Sequence, residues 1–162
     1  MRAAGLPTIV VNTSFRLAPW ADMLYAMDFN WWEAYHEELS EVFKGQRWGY
    51  VRAPQYGVTP TKDKIYPAGC GNSGSYAISL AVVTKPMRVI LLGYDCQFTD
   101  GRKHWHPDHG GKMGNAASIK RWPYQFSLVA KYAQSHGVRV INCSRSTALE
   151  CFERMTLDQA LS

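Results

Sequence analysis

The sequence predicts an α/β protein built on a mostly parallel sheet. Short apolar segments of strand length alternate along the chain with longer segments whose apolar residues recur at helical spacing. The clearest example is residues 71–96, where a Gly-Asn-Ser-Gly turn, a helical segment, a Lys85-Pro86 break and an apolar run lead to Asp95. Strands that alternate with helices in this way predict right-handed crossovers and a three-layer domain.

The first part of the chain predicts two strands and a helix. Residues 7–12 form an apolar segment that ends in a polar residue, and residues 22–28 form the next one. Asp28 or Asn30 can cap the helix that follows, and Gly45 ends it. The side chains that we expect to face the core from this helix are Trp32, Tyr35, Leu39 and Phe43.

The middle of the chain combines the least regular segment with the most regular one. Residues 46–69 are interrupted by prolines, so we expect irregular structure or a lone edge hairpin there. A helix begins near Ser73. The apolar run 88–93 has the composition of a parallel strand buried on both faces.

The last part of the chain predicts a helix, a strand and a terminal helix. The first of these begins at Ser118 or Arg121, runs to residue 135 and is ended by Gly137. Residues 138–142 form the strand. We expect the terminal helix over residues 155–161 to dock on the sheet, or to make a dimer contact if it stays exposed.

Composition narrows the classes of function. The chain has 162 residues, which predicts one domain, and a formal net charge of +5. Its basic residues are scattered, so we expect an anionic small molecule rather than nucleic acid as the ligand. The sequence shows no signal peptide and no apolar run of membrane-spanning length, which predicts a cytoplasmic protein without a membrane partner. The four cysteines form no C-x-x-C pair, and we expect them to be reduced.

The turn at residues 71–74 is a candidate phosphate site. A helix that starts near Ser73 directs backbone N–H groups and the positive end of its dipole into this turn. Asp95 would emerge at the carboxyl end of the following strand, which is the edge where open α/β sheets bind ligands. The alternative is that the turn merely caps the helix.

A second candidate site is the segment His104-Trp105-His106-Pro107-Asp108-His109, which matches the pattern H-x-H-x-D-H. This pattern is the metal-binding motif of the metallo-β-lactamase fold, and it would make the protein a metal-dependent hydrolase that activates water. That fold needs further ligands downstream, where only His136 remains. A simpler zinc site of two or three of these histidines with Cys96 is one alternative. Histidines that hydrogen-bond in a polar loop, or that act as acid or base beside a bound phosphate, are the others.

The order of several short segments resembles a known superfamily. These segments are residues 9–13, 22–32, 71–81, 89–95, 104–109 and 141–152. Together they resemble the superfamily that joins bacterial α-2,3-sialyltransferases to MptE-like pterin diphosphokinases and flagellin-glycosylation proteins, and they are closest to small members often carried by phages. The resemblance implies a Rossmann-like domain over residues 1–162 that lacks the opening strand and Gly-rich loop. It also implies a cytidine-monophosphate sugar donor and no required metal.

The resemblance assigns roles to residues of this chain. Asn12 and Asp28 match the strand-end positions that contact the nucleotide. Asn72, Ser73 and Gly74 match the loop at the helix start that holds it, and Asp95 matches the acidic residue after the central strand. The general base would be one of the histidines His104, His106 and His109. Asp28 stands where the sialyltransferases have asparagine.

Two main expectations follow for function. The first is a nucleotide-binding, sialyltransferase-like protein of phage or bacterial origin, active or degenerate. The second is a non-catalytic accessory protein that uses a sheet face or edge to bind partners, including further copies of itself, and the missing first strand favours it.

Overall fold

The computed structural model describes residues 5–61, 65–98 and 118–162. These residues fall into two compact units, one up to Ile65 and the other from Tyr66 onward. Each unit contains helices and a sheet whose strands are all parallel. The α/β class expected from the sequence is therefore confirmed.

The first unit has a four-stranded sheet. Its strands are β1 (Ile9–Val11), β2 (Met23–Tyr25), β3 (Gln46–Gly49) and β4 (Val58–Pro60), and they lie in the order β1-β2-β3-β4. Helix α1 (Phe29–Val42) connects β2 to β3. Short 3-10 turns follow β1 and precede β4.

Helix α1 packs with the face that its periodicity predicts. Trp32, Leu39 and Phe43 are buried and Tyr35 is half-buried, while Trp31 adds a second buried indole. Gly45 follows the helix where the chain turns into β3. A Cβ at this position would lie 2.5 Å from the backbone oxygen of Ala21, so the corner requires glycine for lack of space.

The expectation of irregular structure or a lone hairpin over residues 46–69 is wrong. β3 and β4 lie in this region and pair in parallel, with Arg47 opposite Val58. Gly57 has a φ of +70°, a left-handed conformation that glycine adopts without a steric penalty, and it returns the chain to the sheet. Pro60 sits in β4 at the edge of the sheet, where a missing N–H does not break the ladder.

The second unit has a three-stranded sheet. The chain runs through α2 (Ser73–Val83), β5 (Arg88–Leu91), α3 (Trp122–Ser135), β6 (Arg139–Asn142), β7 (Glu153–Arg154) and α4 (Leu157–Leu161). The strands lie in the order β5-β6-β7. The helices and the strands β5 and β6 lie where the sequence predicts them, whereas the two-residue β7 carries no apolar pattern and was not expected.

The core of this unit is centred on β6. Val140, Ile141 and Asn142 are buried in this strand, and Val140 belongs to an apolar cluster with Phe126 and Val129 of α3. β5 lies at the edge of the sheet and only its last residue, Leu91, is buried. The expectation that the apolar run 88–93 is buried on both faces is therefore wrong.

None of the helices in the described ranges is both long enough and apolar enough to span a bilayer.

Candidate functional site

The start of α2 is fixed by the side chain of Asn72. This residue is the extended N-cap of the helix, and its Oδ1 accepts a hydrogen bond from the backbone N–H of Ser75 at 2.8 Å. Its Nδ2 donates to Oε1 of Gln125 on α3, also at 2.8 Å. Both ends of the amide thus have protein partners, and Asn72 positions the turn at residues 71–74.

Ser73 and Gly74 begin the helix close to the loop after β5. Ser73 is buried. The hydroxyl of Tyr94 donates to the backbone oxygen of Gly74 at 3.4 Å, and a Cβ on Gly74 would lie 3.1 Å from the Tyr94 ring. Gly74 therefore allows the helix start to approach Tyr94 closely. The structure brings the predicted phosphate turn next to the loop that carries Asp95.

The loop over residues 93–96 has an unusual backbone around Asp95. Gly93 has a φ of +75° and Cys96 a φ of +51°, so left-handed residues lie on both sides of Asp95. For a cysteine this conformation costs about 1–3 kcal/mol and persists only where surrounding contacts impose it. Such backbone strain is concentrated at functional sites in proteins.

The contacts that hold this loop come from the segment after β6. Ser144 Oγ accepts from the N–H of Tyr94 at 2.7 Å, and the N–H of Ala148 donates to the backbone oxygen of Asp95 at 2.8 Å. Thr147 Oγ1 donates to the backbone oxygen of Tyr94 at 2.6 Å. The backbone of Asp95 is therefore fixed on both sides.

Asn142 supports the same network from inside the core. It is fully buried at the end of β6, and its Oδ1 accepts from the N–H of Ser144 at 3.0 Å. Its Nδ2 donates to Thr147 Oγ1 at 3.3 Å and to the backbone oxygen of Tyr94 at 3.4 Å. In the sequence, the sign of this role is an asparagine at the end of an apolar strand. Gln125, on an amphipathic helix, gave no such sign.

The carboxylate of Asp95 is half-buried in this setting. Partial burial removes water from the charged form, and this desolvation raises the pKa of Asp95 above its ordinary value. The contacts described above hold its backbone, and they direct the residue to the carboxyl edge of the sheet beside the start of α2.

The first unit places Asn12 and Asp28 at the corresponding edge of its own sheet. Asn12 follows β1 with a φ of +49°, a conformation that asparagine tolerates better than most residues. Asp28 lies between β2 and α1, at the N-cap position, but its side chain makes no capping hydrogen bond. Although Asp28 is exposed as a residue, desolvation of its carboxyl group raises its pKa.

The pKa values of Asp28 and Asp95 are shifted in the opposite direction to those of two carboxylates that form ion pairs with arginine. Glu38 and Glu153 have lowered pKa values, because their carboxylates bind the guanidinium groups of Arg16 and Arg139. A carboxylate that loses hydration at a ligand-binding edge is a candidate functional group. The resemblance described above assigns both residues to nucleotide binding.

The predicted general bases His104, His106 and His109, and with them Asp108, lie outside the described residues. Within the ranges that the structure describes, no three His, Cys, Asp or Glu side chains are grouped closely enough to hold a metal ion. Burial, together with Cys151 and Asp95 nearby, raises the pKa of the Cys96 thiol to about 12. The free thiol is therefore protonated at neutral pH.

In comparisons with protein-family models, with curated proteins and with solved structures, the chain gives no match.

Proposed function

We propose that the protein binds a nucleotide at the carboxyl edge of its second sheet and is a sialyltransferase-like glycosyltransferase or a degenerate form of one. The observation that carries the proposal is Asp95, which follows β5 in a loop that is hydrogen-bonded to the segment after β6 and that reaches the start of α2 through Tyr94. Loss of hydration raises the pKa of Asp95, and in the first unit it raises that of Asp28 as well. Ribose and sugar hydroxyl groups donate hydrogen bonds to such a carboxylate, and these bonds would replace the water that burial removes.

The start of α2 is the proposed phosphate site. Its dipole places partial positive charge beside Ser73 and Gly74, and the Asn72 cap holds the turn in one conformation. A cytidine-monophosphate sugar would place its phosphate there and its ribose near Asp95. The positive net charge of the chain favours an anionic ligand.

The proposed chemistry is transfer of a sugar to an acceptor hydroxyl. The bond between the sugar and the cytidine-monophosphate oxygen breaks as the acceptor oxygen forms a new bond to the sugar. A histidine among His104, His106 and His109 would take the acceptor proton, since imidazole can act as a base near neutral pH. No metal is required for this step.

The test is calorimetric binding of cytidine, uridine, guanosine and adenosine monophosphates to the full chain and to variants. We expect the cytidine nucleotide to bind, and Asp95→Asn to weaken binding by about tenfold or more, because a hydrogen bond to a charged group contributes about 1.5–3 kcal/mol. Ser73→Ala should weaken the same complex.

The matched control is Glu41→Gln, which removes one exposed carboxylate at the far end of α1. It should leave binding unchanged. Unchanged binding in both Asp95→Asn and Ser73→Ala, with the fold intact by circular dichroism, would refute the assignment of the site.

A second candidate function is that of a non-catalytic interaction protein. The specific observation in its favour is that the apolar strand β5 lies at a sheet edge. If no nucleotide binds in the panel above, this function becomes the primary one.

A further inference from the structure

Helix α3 lies directly against the segment that leads into α2. A Cβ on Gly71 would collide with Nε2 of Gln125, and one on Gly69 would lie 2.9 Å from Cδ1 of Leu128. Gln125 and Leu128 are three residues apart on α3, so they share one face of the helix. Two glycines therefore leave the space that this face of α3 occupies. All four residues belong to the second unit.

The partners of Asn72 fix the orientation of the Gln125 carboxamide. A backbone N–H donates to an oxygen, so Asn72 must present Oδ1 to Ser75 and keep Nδ2 for another acceptor. That acceptor is Oε1 of Gln125, at 2.8 Å. Nε2 of Gln125 then faces Gly71. One consistent set of hydrogen bonds thus runs from α3 through Asn72 to the first turn of α2.

These hydrogen bonds reach the backbone of α2 at a buried position. Ser75 is fully buried, so its N–H has no water to bond if the Asn72 side chain turns away, and a buried N–H without an acceptor is costly. Asn72 itself is half-buried, so its carboxamide has solvent on one side. The bond to Gln125 opposes rotation of this carboxamide toward solvent and thereby protects the cap.

We propose that Gln125 is a positioning residue for the phosphate site at the start of α2, and that it acts from α3 by fixing the Asn72 cap. The nature of the ligand rests on the proposed function, whereas the control of the turn by Gln125 does not. With the cap fixed, the turn at residues 71–74 keeps one conformation. A phosphate then binds without first ordering the turn, and this preorganisation raises its affinity.

Hydrogen exchange of the Ser75 amide tests the control of the turn. Gln125→Leu keeps a good helix former and removes both amide groups. We expect the Ser75 amide to exchange roughly three- to tenfold faster, which corresponds to the loss of one neutral hydrogen bond. The amide of Val82, near the end of the same helix, should not change. Gln134→Leu, at an exposed position near the end of α3, is the matched control and should leave Ser75 unchanged.

Gly71→Ala displaces Gln125 without altering it. The backbone of Gly71 is not left-handed, so it accepts alanine, and the new Cβ meets only the end of a flexible side chain. Gln125 then moves and loses Asn72, and the Ser75 amide should exchange faster, as in Gln125→Leu. In a Gln125→Ala background the side chain ends at Cβ, and Gly71→Ala should have no further effect. Such non-additivity is the signature of a contact that runs through Gln125.

The affinity for cytidine monophosphate tests the effect on the site. Gln125→Leu and Gly71→Ala should each weaken binding by roughly three- to tenfold, because the turn is no longer held in one conformation. Gln125→Glu separates positioning from charge. Its carboxylate still accepts from Asn72, so exchange of Ser75 should stay slow, but its negative charge beside the helix start should weaken binding of the phosphate. A purely structural role would leave that affinity unchanged.

Two results would overturn the proposal. One is unchanged exchange of Ser75 in both Gln125→Leu and Gly71→Ala. The other is an unchanged affinity of both variants for a nucleotide that the wild type binds. If Gln125→Leu does not fold, Gly71→Ala decides. If the wild type binds no cytidine monophosphate, the nucleotide proposal fails, and the exchange rates of Ser75 decide the role of Gln125 without it.

Discussion

Asp95 and Asp28 carry carboxylates that have lost part of their hydration, and this loss is what raises their pKa values. A surface carboxylate normally keeps its water or gains a cation, as Glu38 does beside Arg16. An ionised carboxylate in a partly dehydrated position lowers the stability of the folded state. Functional sites commonly carry destabilising features of this kind. In the same loop as Asp95, the left-handed backbone conformation of Cys96 lowers the stability of the folded state further.

The raised pKa of Asp95 predicts a pH-dependent stability difference. Its folded pKa lies above its unfolded value, so the stability gained from protonation is complete below about pH 4 and is lost as the pH rises through the folded pKa. At neutral pH, Asp95→Asn should therefore have a larger free energy of unfolding than the wild type, and the gain should shrink as the pH falls toward 4. Urea unfolding at a series of pH values measures this.

Glu38→Gln is the control with the opposite sign. Arg16 lowers the folded pKa of Glu38, so its charge contributes stability above its ordinary pKa that is lost as the pH falls through the folded one. The variant should lose less than about 1 kcal/mol at neutral pH, since the pair is solvent-exposed. A lower stability of Asp95→Asn than of the wild type at neutral pH would contradict the account of Asp95.

At the level of residues, part of the candidate site could be predicted from the sequence. Asp95 and Asn72 stand next to a strand and a helix whose periodicity is clear, so their positions followed from local pattern. Gln125 could not be found in this way. It reaches Asn72 across 53 residues of sequence, and only the packing of α3 against α2 brings the two together.

At the level of elements, β5 and β6 show why strand burial is harder to predict than strand position. Their sequences, Arg-Val-Ile-Leu and Arg-Val-Ile-Asn, are almost the same. β6 lies between two strands and has three buried residues, whereas β5 lies at the edge and has one. Composition locates a strand, but its place in the sheet depends on long-range pairing. The same reason explains why β3 and β4 were not predicted as a parallel pair.

This difference predicts unequal effects of two matched substitutions. Ile141→Ala in β6 removes a fully buried side chain and should cost about 2–5 kcal/mol of unfolding free energy. Ile90→Ala in β5 removes a half-buried one, and it should cost less than half as much. Urea unfolding of the two variants makes the comparison. Equal losses would show that Ile90 is as well packed as Ile141 in the isolated chain.

At the level of the whole molecule, the positive charge of the chain bears on the proposed ligand. Eighteen basic residues exceed thirteen acidic ones. The excess is spread along the sequence, so it creates a general positive potential rather than a track for a polyanion. A nucleotide phosphate would gain from this potential in addition to its contacts at the start of α2, whereas an uncharged nucleoside would gain nothing from it.

If the nucleotide proposal holds, a salt series should separate the charge attraction of the phosphate from the contacts that an uncharged nucleoside also makes. Raising the salt concentration shortens the screening length from about 10 Å at 0.1 M to about 3 Å at 1 M, and the affinity for cytidine monophosphate should fall progressively. The affinity for cytidine, which has no phosphate, should change little. Calorimetric titrations of both ligands over a salt series measure the difference. If salt changed the affinities for both ligands equally, the phosphate would contribute no charge interaction. The start of α2 would then have only a structural role.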